Sequence, residues 1–223
     1  MPEPTATGVT LSGASIEFQG VGFDGPAADA SRERIFTFVS RSAGIVEASA
    51  EAEASGSDSI RLCLGRGAPG SVTAQRCRES AEATVTSAAS GAETPWTVTL
   101  IGAEGAGGTA NLVLSFPSDE PSVTVDGFRF QGLAFGDFNG FVADVQATGA
   151  GNLGVAATWS GGSVPYRLTF ADDDAIIEEE TGEGMAVSTT VAVSSAGAYR
   201  IALGNQQEFA EQDLTLRATI SWP

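Results

Sequence analysis

The sequence has no histidine and no lysine. Ser-His pairs, Schiff-base amines and the commonest general bases are therefore absent, which argues against most catalytic arrangements. A pair of carboxylates, as in glycosidases, is the arrangement that remains, and no single pair stands out within an apolar frame. The sequence predicts a protein that is not an enzyme and has no catalytic cofactor.

Basic residues are also scarce. The chain has 11 of them, all arginine, against 28 acidic residues, which gives a net charge of −17. Binding to phosphate groups needs clustered Lys and Arg, so nucleic acid and anionic lipid are excluded as partners. There is no apolar run of about 18 residues, which argues against membrane insertion.

Cysteine is nearly absent, and the two that occur are Cys63 and Cys77. They flank a loop that contains Gly and Pro, and a disulfide there would contribute roughly 3 kcal/mol by the loop-entropy model. Two thiols without histidine are too few for a structural zinc, and the spacing is not that of a redox motif. We predict a disulfide, with two buried free thiols as the alternative; the disulfide indicates an extracellular or cell-surface protein.

The chain contains an internal repeat of about 106 residues. Three pairs of similar segments show it: Phe18–Gly20 with Phe130–Gly132, Ile60–Leu64 with Tyr166–Phe170, and Leu114–Pro117 with Ile220–Pro223. This period is too long for a solenoid unit and is the size of a small domain. The sequence therefore predicts a duplicated domain.

Apolar residues alternate with polar ones over short runs, as in Ile35–Val39, Trp96–Ile101 and Leu214–Ile220. This period of two is typical of strands with one buried face, and Gly-rich turns separate the runs. We predict an all-β chain of two tandem antiparallel β-sandwiches. The predicted divisions are an extended N-terminal arm (1–10), a first sandwich (11–117), a linker (118–121) and a second sandwich (122–223).

Four segments of the first repeat resemble the bacterial pre-peptidase C-terminal domain: Phe36–Val39, Ala43–Val46, Ser59–Leu64 and Pro95–Leu100. The second repeat carries Ala198–Leu203 at the last of these positions. The resemblance implies a secreted, non-catalytic, jelly-roll-like module. The Asp-rich strand lead-in of that family is reduced here to Asp58 and is missing before Tyr166.

Two equivalent loops carry opposite charge, and we predict that they are assembly contacts. The first loop holds basic residues and the second acidic ones: Arg61, Arg66, Arg76 and Arg78 against Asp172, Asp173, Asp174, Glu178, Glu179, Glu180 and Glu183. Copies could join head to tail through them, with a strand of the N-terminal arm added to a neighbour's sheet edge. Independent drift of solvated loops is the alternative.

Three further features have an ordinary and a functional interpretation. Phe135, Phe138 and Phe141 flank a turn, so they are either core residues or an apolar contact with a partner. Trp159 and Trp222 are either core residues or platforms for sugar rings. The acidic run Asp172–Asp174 is either a solvated loop or a Ca²⁺ site, Ca²⁺ being the one metal that the sequence suggests.

The predicted function is that of an exported, non-catalytic structural or cell-surface protein that binds copies of itself, as a filament or surface-assembly subunit. A carbohydrate-binding or matrix-binding accessory module of a secreted enzyme is the alternative. A phage or capsid β-protein is a weaker alternative.

Overall fold

Antiparallel strands make up the regular structure of the protein, as a computed structural model shows. The structure describes residues 13–23, 34–53, 59–90, 93–103, 108–117, 121–129, 140–172, 175–207 and 214–223. Within these ranges there are sixteen strands and no helix, which confirms the predicted all-β class. Consistent with this, none of the described segments is a helix of the length and apolarity that a membrane crossing requires.

The strands form two eight-stranded sheets. Sheet I has the order β13 (Ala175–Gly184), β12 (Val164–Asp172), β15 (Gly197–Asn205), β10 (Gly140–Ala147), β1 (Gly13–Phe23), β8 (Gly108–Pro117), β3 (Ala43–Glu53), β6 (Glu82–Ser90). Sheet II has the order β14 (Ala186–Val193), β11 (Gly151–Ser160), β16 (Thr215–Ser221), β9 (Ser122–Arg129), β2 (Arg34–Ser40), β7 (Thr94–Gly102), β4 (Ile60–Arg66), β5 (Thr73–Ser80).

Each repeat contributes half of each sheet. β1 to β8 come from the first repeat and β9 to β16 from the second, and they meet at two strand pairs, β1 with β10 and β2 with β9. β9 is the second repeat's counterpart of β1, and β10 is the counterpart of β2. The pair β1–β10 in sheet I is therefore equivalent to the pair β9–β2 in sheet II. The two repeats are thus related by an approximate two-fold axis that exchanges the sheets. The repeats are therefore hydrogen-bonded to each other, while the predicted domain limits stay a prediction.

The strand pairing matches closely between the repeats. Leu62 lies opposite Leu100 in the first repeat, and Leu168 lies opposite Leu203 in the second. Each repeat also has a glycine that leaves room for its terminal proline, since a Cβ on Gly151 would stand 2.5 Å from Pro223. The duplication is therefore a repeat of three-dimensional structure.

The pairing corrects one detail of the repeat. Phe18 pairs with Leu112, and the equivalent pair in the second repeat is Val125 with Ala218. A bulge follows Phe18 and Val125 in both cases, at Gln19-Gly20 and at Asp126-Gly127. The match of Phe18–Gly20 to Phe130–Gly132 was out of register because three residues are too short to fix an alignment.

The core lies between the sheets and is continuous through both repeats. Buried residues alternate with half-buried ones along β2 and over most of β8, as the sequence pattern predicts. Phe38 stacks on Phe116 at 4.3 Å between ring centroids, and Phe116 meets the edge of Trp222 at 6.3 Å. Burying a large apolar side chain contributes about 1.5–3 kcal/mol, so this cluster holds the two sheets together.

Candidate functional site

The two ends of the sandwich carry the charged residues that the sequence singles out. We call the end formed by β5 and β6 the arginine end, and the end formed by β13 and β14 the glutamate end. Each predicted loop is in fact a strand hairpin, β4–β5 or β12–β13. The sequence pattern missed β5 because every residue from Thr73 to Glu79 is exposed, so no apolar alternation marks it.

At the arginine end, side chains from sheet II reach the edge strand of sheet I. Arg76 Nη1 donates to the carbonyl oxygen of Thr86 at 3.3 Å, and Arg66 Nη2 donates to that of Ala88 at 3.0 Å. The Arg66 guanidinium also lies 5.4 Å from the ring centre of Trp96, in a cation–π contact. These arginines cover the open end between the sheets.

Arg61 and Arg78 complete the basic set and have a different status. Both are exposed, and neither has a hydrogen bond or ion pair to the described part of the chain. Arg78 lies opposite Leu62, whose side chain is fully buried, so Arg78 is on the core-facing side of the edge strand. Its charge is available to a partner at this end.

At the glutamate end, acidic side chains of β13 cover the gap in a similar way. Thr189 Oγ1 of β14 donates a hydrogen bond to Glu180 Oε2, and Tyr166 Oη donates to Glu180 Oε1 at 2.9 Å. Burial, followed by the hydrogen bond and the charge of Glu180, raises the pKa of Tyr166 above its usual value of 10.0. Glu180 therefore links sheet I to sheet II.

The other acids of this end are exposed. Arg167 donates to Glu179 Oε2 through Nε at 3.1 Å and Nη2 at 2.6 Å, on the outer face of sheet I. Glu178 and Glu183 have no hydrogen bond or ion pair to the described residues. Glu178 lies opposite the fully buried Phe170, so it occupies the core-facing side of its strand, as Arg78 does at the other end.

The strand pairing shows which residues of the two charged hairpins are equivalent, and the sign of the charge is reversed at these equivalent positions. Because Leu62 corresponds to Leu168 and Leu64 to Phe170, the residues opposite them also correspond. Three equivalent positions then carry opposite charges: Arg66 and Asp172, Arg76 and Glu178, Arg78 and Glu180. The two-fold relation of the repeats places these sets at opposite ends of the molecule.

The predicted disulfide between Cys63 and Cys77 is confirmed. It joins two residues that are directly opposite each other on β4 and β5. Cys63 is buried, whereas Cys77 is exposed on the edge strand. The bond therefore fastens the strand that carries Arg76 and Arg78.

A groove of about 430 Å³ lies on sheet II, beside the junction of the repeats. Strand residues Thr37, Thr124 and Arg217 line it, and Pro69 of the β4–β5 turn closes one side. The sequence alone does not reveal this groove, because its residues come from strands far apart in the chain. The single Thr on each of two neighbouring strands, Thr37 of β2 and Thr124 of β9, is the signal that points to it.

All three tryptophans are buried, which decides between the two interpretations of Trp159 and Trp222 in favour of the core. Trp96, Trp159 and Trp222 are 1%, 4% and 3% exposed, so Trp159 and Trp222 are core residues and present no stacking platform. The large exposed apolar side chains of the described residues are aliphatic: Ile45, Ile176, Ile177 and Met185.

Several predicted sites fall outside the described residues. These are the 1–10 arm, Phe135, Phe138, Asp173 and Asp174, while for Phe141 the backbone alone is described, paired with Leu203. In the described part of the chain, no three potential ligands gather to hold a metal ion. The Ca²⁺ site at Asp172–Asp174 and the Phe contact stay predictions.

Comparison with known proteins gives no family. No family model matches the sequence, and no curated protein does. The resemblance to the pre-peptidase C-terminal domain therefore stays a prediction.

Several solved structures align with a large share of the chain at low scores. The tandem CBM51 modules of a family 98 glycoside hydrolase from Streptococcus pneumoniae match over 91% of this chain and 80% of theirs, with 8% identity and a TM-score of 0.28. The tandem CBM22 modules of Paenibacillus barcinonensis Xyn10C match over 82% and 79%, with 8% identity and a TM-score of 0.25. The infectious bursal disease virus VP2 subviral particle matches over 94% and 68%, with 8% identity and a TM-score of 0.26. Scores this low carry no argument about function.

Proposed function

We propose that this chain is an exported, non-catalytic structural protein whose copies join end to end, the arginine end of one against the glutamate end of the next. The observation that carries the proposal is the inversion of charge at three equivalent positions, which the two-fold relation of the repeats places at opposite ends.

Electrostatics selects this arrangement over the two symmetric ones. Two arginine ends brought together would place Arg76 and Arg78 against their own copies, and two glutamate ends would do the same with Glu178 and Glu180. Like charges in contact cost several kcal/mol, whereas opposite charges attract and fix the alignment of the partners. A contact between unlike ends leaves one free end on each copy, so further copies can add. The product is a filament, or a ring if the chain of copies returns to its start.

The location and the absence of catalysis are part of the same proposal. The disulfide between Cys63 and Cys77 supports export, because such bonds persist in oxidising compartments. The lack of histidine and lysine supports a role without chemistry. A surface protein acts through the contacts it makes, and equivalent positions at its two ends carry opposite charges.

Sedimentation of the purified chain tests the proposal. At low salt the sedimentation coefficient rises with protein concentration, and at about 0.5 M salt it falls back, because screening then acts within a few ångströms. The R78E variant stays monomeric at concentrations where the parent associates. R200E is a control with the same charge change, since Arg200 lies on β15, separated from the edge by β12. It also loses the ion pair of Arg200 with Asp144, so urea unfolding must first show that R200E is folded. A parent that sediments as a monomer at every concentration and salt level refutes the proposal.

The groove on sheet II favours a second candidate, an accessory module that binds carbohydrate or matrix. The hydroxyls of Thr37, Ser122 and Thr124 and the guanidinium of Arg217 line it, as donors and acceptors that a polyhydroxylated chain requires. Because the tryptophans are buried, binding there depends on hydrogen bonds rather than on ring stacking.

Calorimetry with soluble polysaccharides tests this candidate. Binding in the parent that is weakened at least tenfold in R217S, and unchanged in R200S, supports the groove as the site. If no polysaccharide in a broad panel binds, or if R217S binds as the parent does, the groove is not a carbohydrate site.

A further inference from the structure

The topology of the two sheets specifies how copies pair, if they join end to end as proposed above. All strand pairs in sheet I are antiparallel, and so are all pairs in sheet II. With eight strands in each sheet, the first and last strands run in opposite directions. A copy placed in line with another therefore presents an antiparallel partner in both sheets at once.

We infer that the assembly extends both sheets without interruption: β6 of one copy pairs with β13 of the next in sheet I, and β5 pairs with β14 in sheet II. Among the strands that the structure describes, these four lie at the ends of their sheets. Sheet edges carry backbone donors and acceptors, which are the groups that a strand from another chain uses. On β6 the carbonyl oxygens of Thr86 and Ala88 already accept from Arg76 and Arg66, so an added strand that uses these oxygens shares them with the arginines.

The junction inside the molecule is a precedent for this pairing. There the repeats meet through four residue pairs between β1 and β10 and four between β2 and β9, so that each sheet crosses the junction. Each edge strand is at least as long as these short pairings. In β5, regular pairing is limited to residues 76–80, which follow a bulge opposite Gly65. This segment is still longer than the four-residue pairings at the junction.

The charged side chains then meet between the sheets rather than along one edge. Arg76 and Arg78 belong to sheet II of one copy, and Glu178 and Glu180 to sheet I of the next, so they approach diagonally across the interface. Sheets pack about 10 Å apart. The hydrogen bonds of Arg76 to β6 and of Glu180 to β14 demonstrate that these side chains already reach from one sheet to the other.

Zero-length coupling of an amine to a carboxylate tests the pairing, because the chain has no lysine of its own. Thr84 on β6 is exposed on the outer face of sheet I, and the outward carboxylates Glu179 and Glu183 of β13 would lie on the same face in the next copy. Treatment of T84K with a carbodiimide should yield covalent oligomers under denaturing conditions. The linked peptides should contain Lys at position 84 and Glu179 or Glu183.

Sheet II gives an independent arm of the same experiment. Thr190 of β14 is exposed, and so is Glu79 of β5, which lies on the outer face of sheet II. When β14 of one copy pairs with β5 of the next, these two residues would lie on the same face. T190K should couple between copies to Glu79, and the parent treated alike is the control. T84K that links to β14, or T190K that links to β13, overturns the continuous pairing.

The failure of the inference and the failure of the proposed function give different results. Association in sedimentation without the two predicted links means that copies join end to end by another pairing. No association at any concentration overturns both. A regular filament should also show an axial repeat of about 38 Å, which is eight strand spacings of about 4.8 Å, and a clearly different repeat overturns the inference alone.

Discussion

Removal of the disulfide should weaken the arginine end before the rest of the molecule. β5 is fully exposed apart from Ser80, and within the described ranges it pairs with β4 alone. The bond closes a loop with a sequence separation of 14 between Cys63 and Cys77. For a loop of this size the chain-entropy model predicts a stabilisation of roughly 3 kcal/mol.

Urea unfolding followed by tryptophan fluorescence measures this loss. We compare the parent with the C63A/C77A variant, which avoids any effect of a reductant on the sample. With a urea slope of about 3 kcal/mol per M, at the upper end for small proteins, the midpoint should fall by about 1 M. An unchanged midpoint would contradict the reasoning.

Hydrogen exchange locates the effect, and the duplication supplies an internal control. The β12–β13 hairpin has the same pairing with no disulfide, since Thr169 and Glu179 occupy the places of the cysteines. In C63A/C77A, amides of residues 76–80 should exchange at least tenfold faster, while those of residues 178–184 should not change. Equal acceleration in both hairpins would mean that the bond stabilises the whole molecule rather than its edge.

Three further predictions concern the core, one close contact and one titration. Phe116→Ala should cost about 3–5 kcal/mol in urea unfolding, because this ring is 1% exposed. Gly151→Ala should cost about 1–3 kcal/mol, since its Cβ would overlap the terminal proline, and Gly149→Ala, with nothing within 4 Å, should be close to neutral. Equal effects of the two would refute the contact. Glu180→Gln in a chain without the second tyrosine should lower the pKa of Tyr166, as measured by ultraviolet absorbance, because it removes a carboxylate that disfavours the phenolate. The raised pKa stabilises the fold below pH 10.0, and this contribution is lost as the pH rises through the folded value.

The strands with one buried face could be predicted from the sequence, and the exposed edge strands β5 and β13 could not. β2 and β8 alternate buried and partly exposed residues, which is the signal that the period of two detects. β13 is exposed on both faces over most of its length, so its sequence has the composition of a loop. Edge strands are held by backbone pairing with a neighbour, and side-chain patterns do not record that pairing.

The joining of the two repeats was also beyond the sequence. The duplication and the disulfide follow from the order of residues along the chain. The partner of β1 in the other repeat depends on which faces pack together, because β1 and β2 belong to different sheets. The same packing buries Trp159 of β11 and Trp222, which directly follows β16.

The charge inversion shows what the structure adds to the candidate site. Counting charges predicts two loops of opposite sign. The strand pairing identifies which residues correspond, and the two-fold relation of the repeats places them at opposite ends. Copies can therefore join through these two ends while the two repeats of each copy keep the arrangement seen in the structure.

Complementation between two blocked variants tests end-to-end assembly most directly. R78E has an altered arginine end and an intact glutamate end, whereas E178R has the reverse. Neither replacement removes a hydrogen bond or ion pair to the described residues. Each variant alone places like charges in its contact, so each should be at least tenfold weaker in association than the parent.

Sedimentation of an equimolar mixture of R78E and E178R is the decisive measurement. The intact ends of the two variants match each other, and their altered ends carry complementary charges as well. The account predicts that the mixture sediments faster than either variant alone at the same total concentration. A mixture that sediments as the average of two monomers, while the parent associates under the same conditions, would contradict the claim that opposite ends of this molecule bind each other.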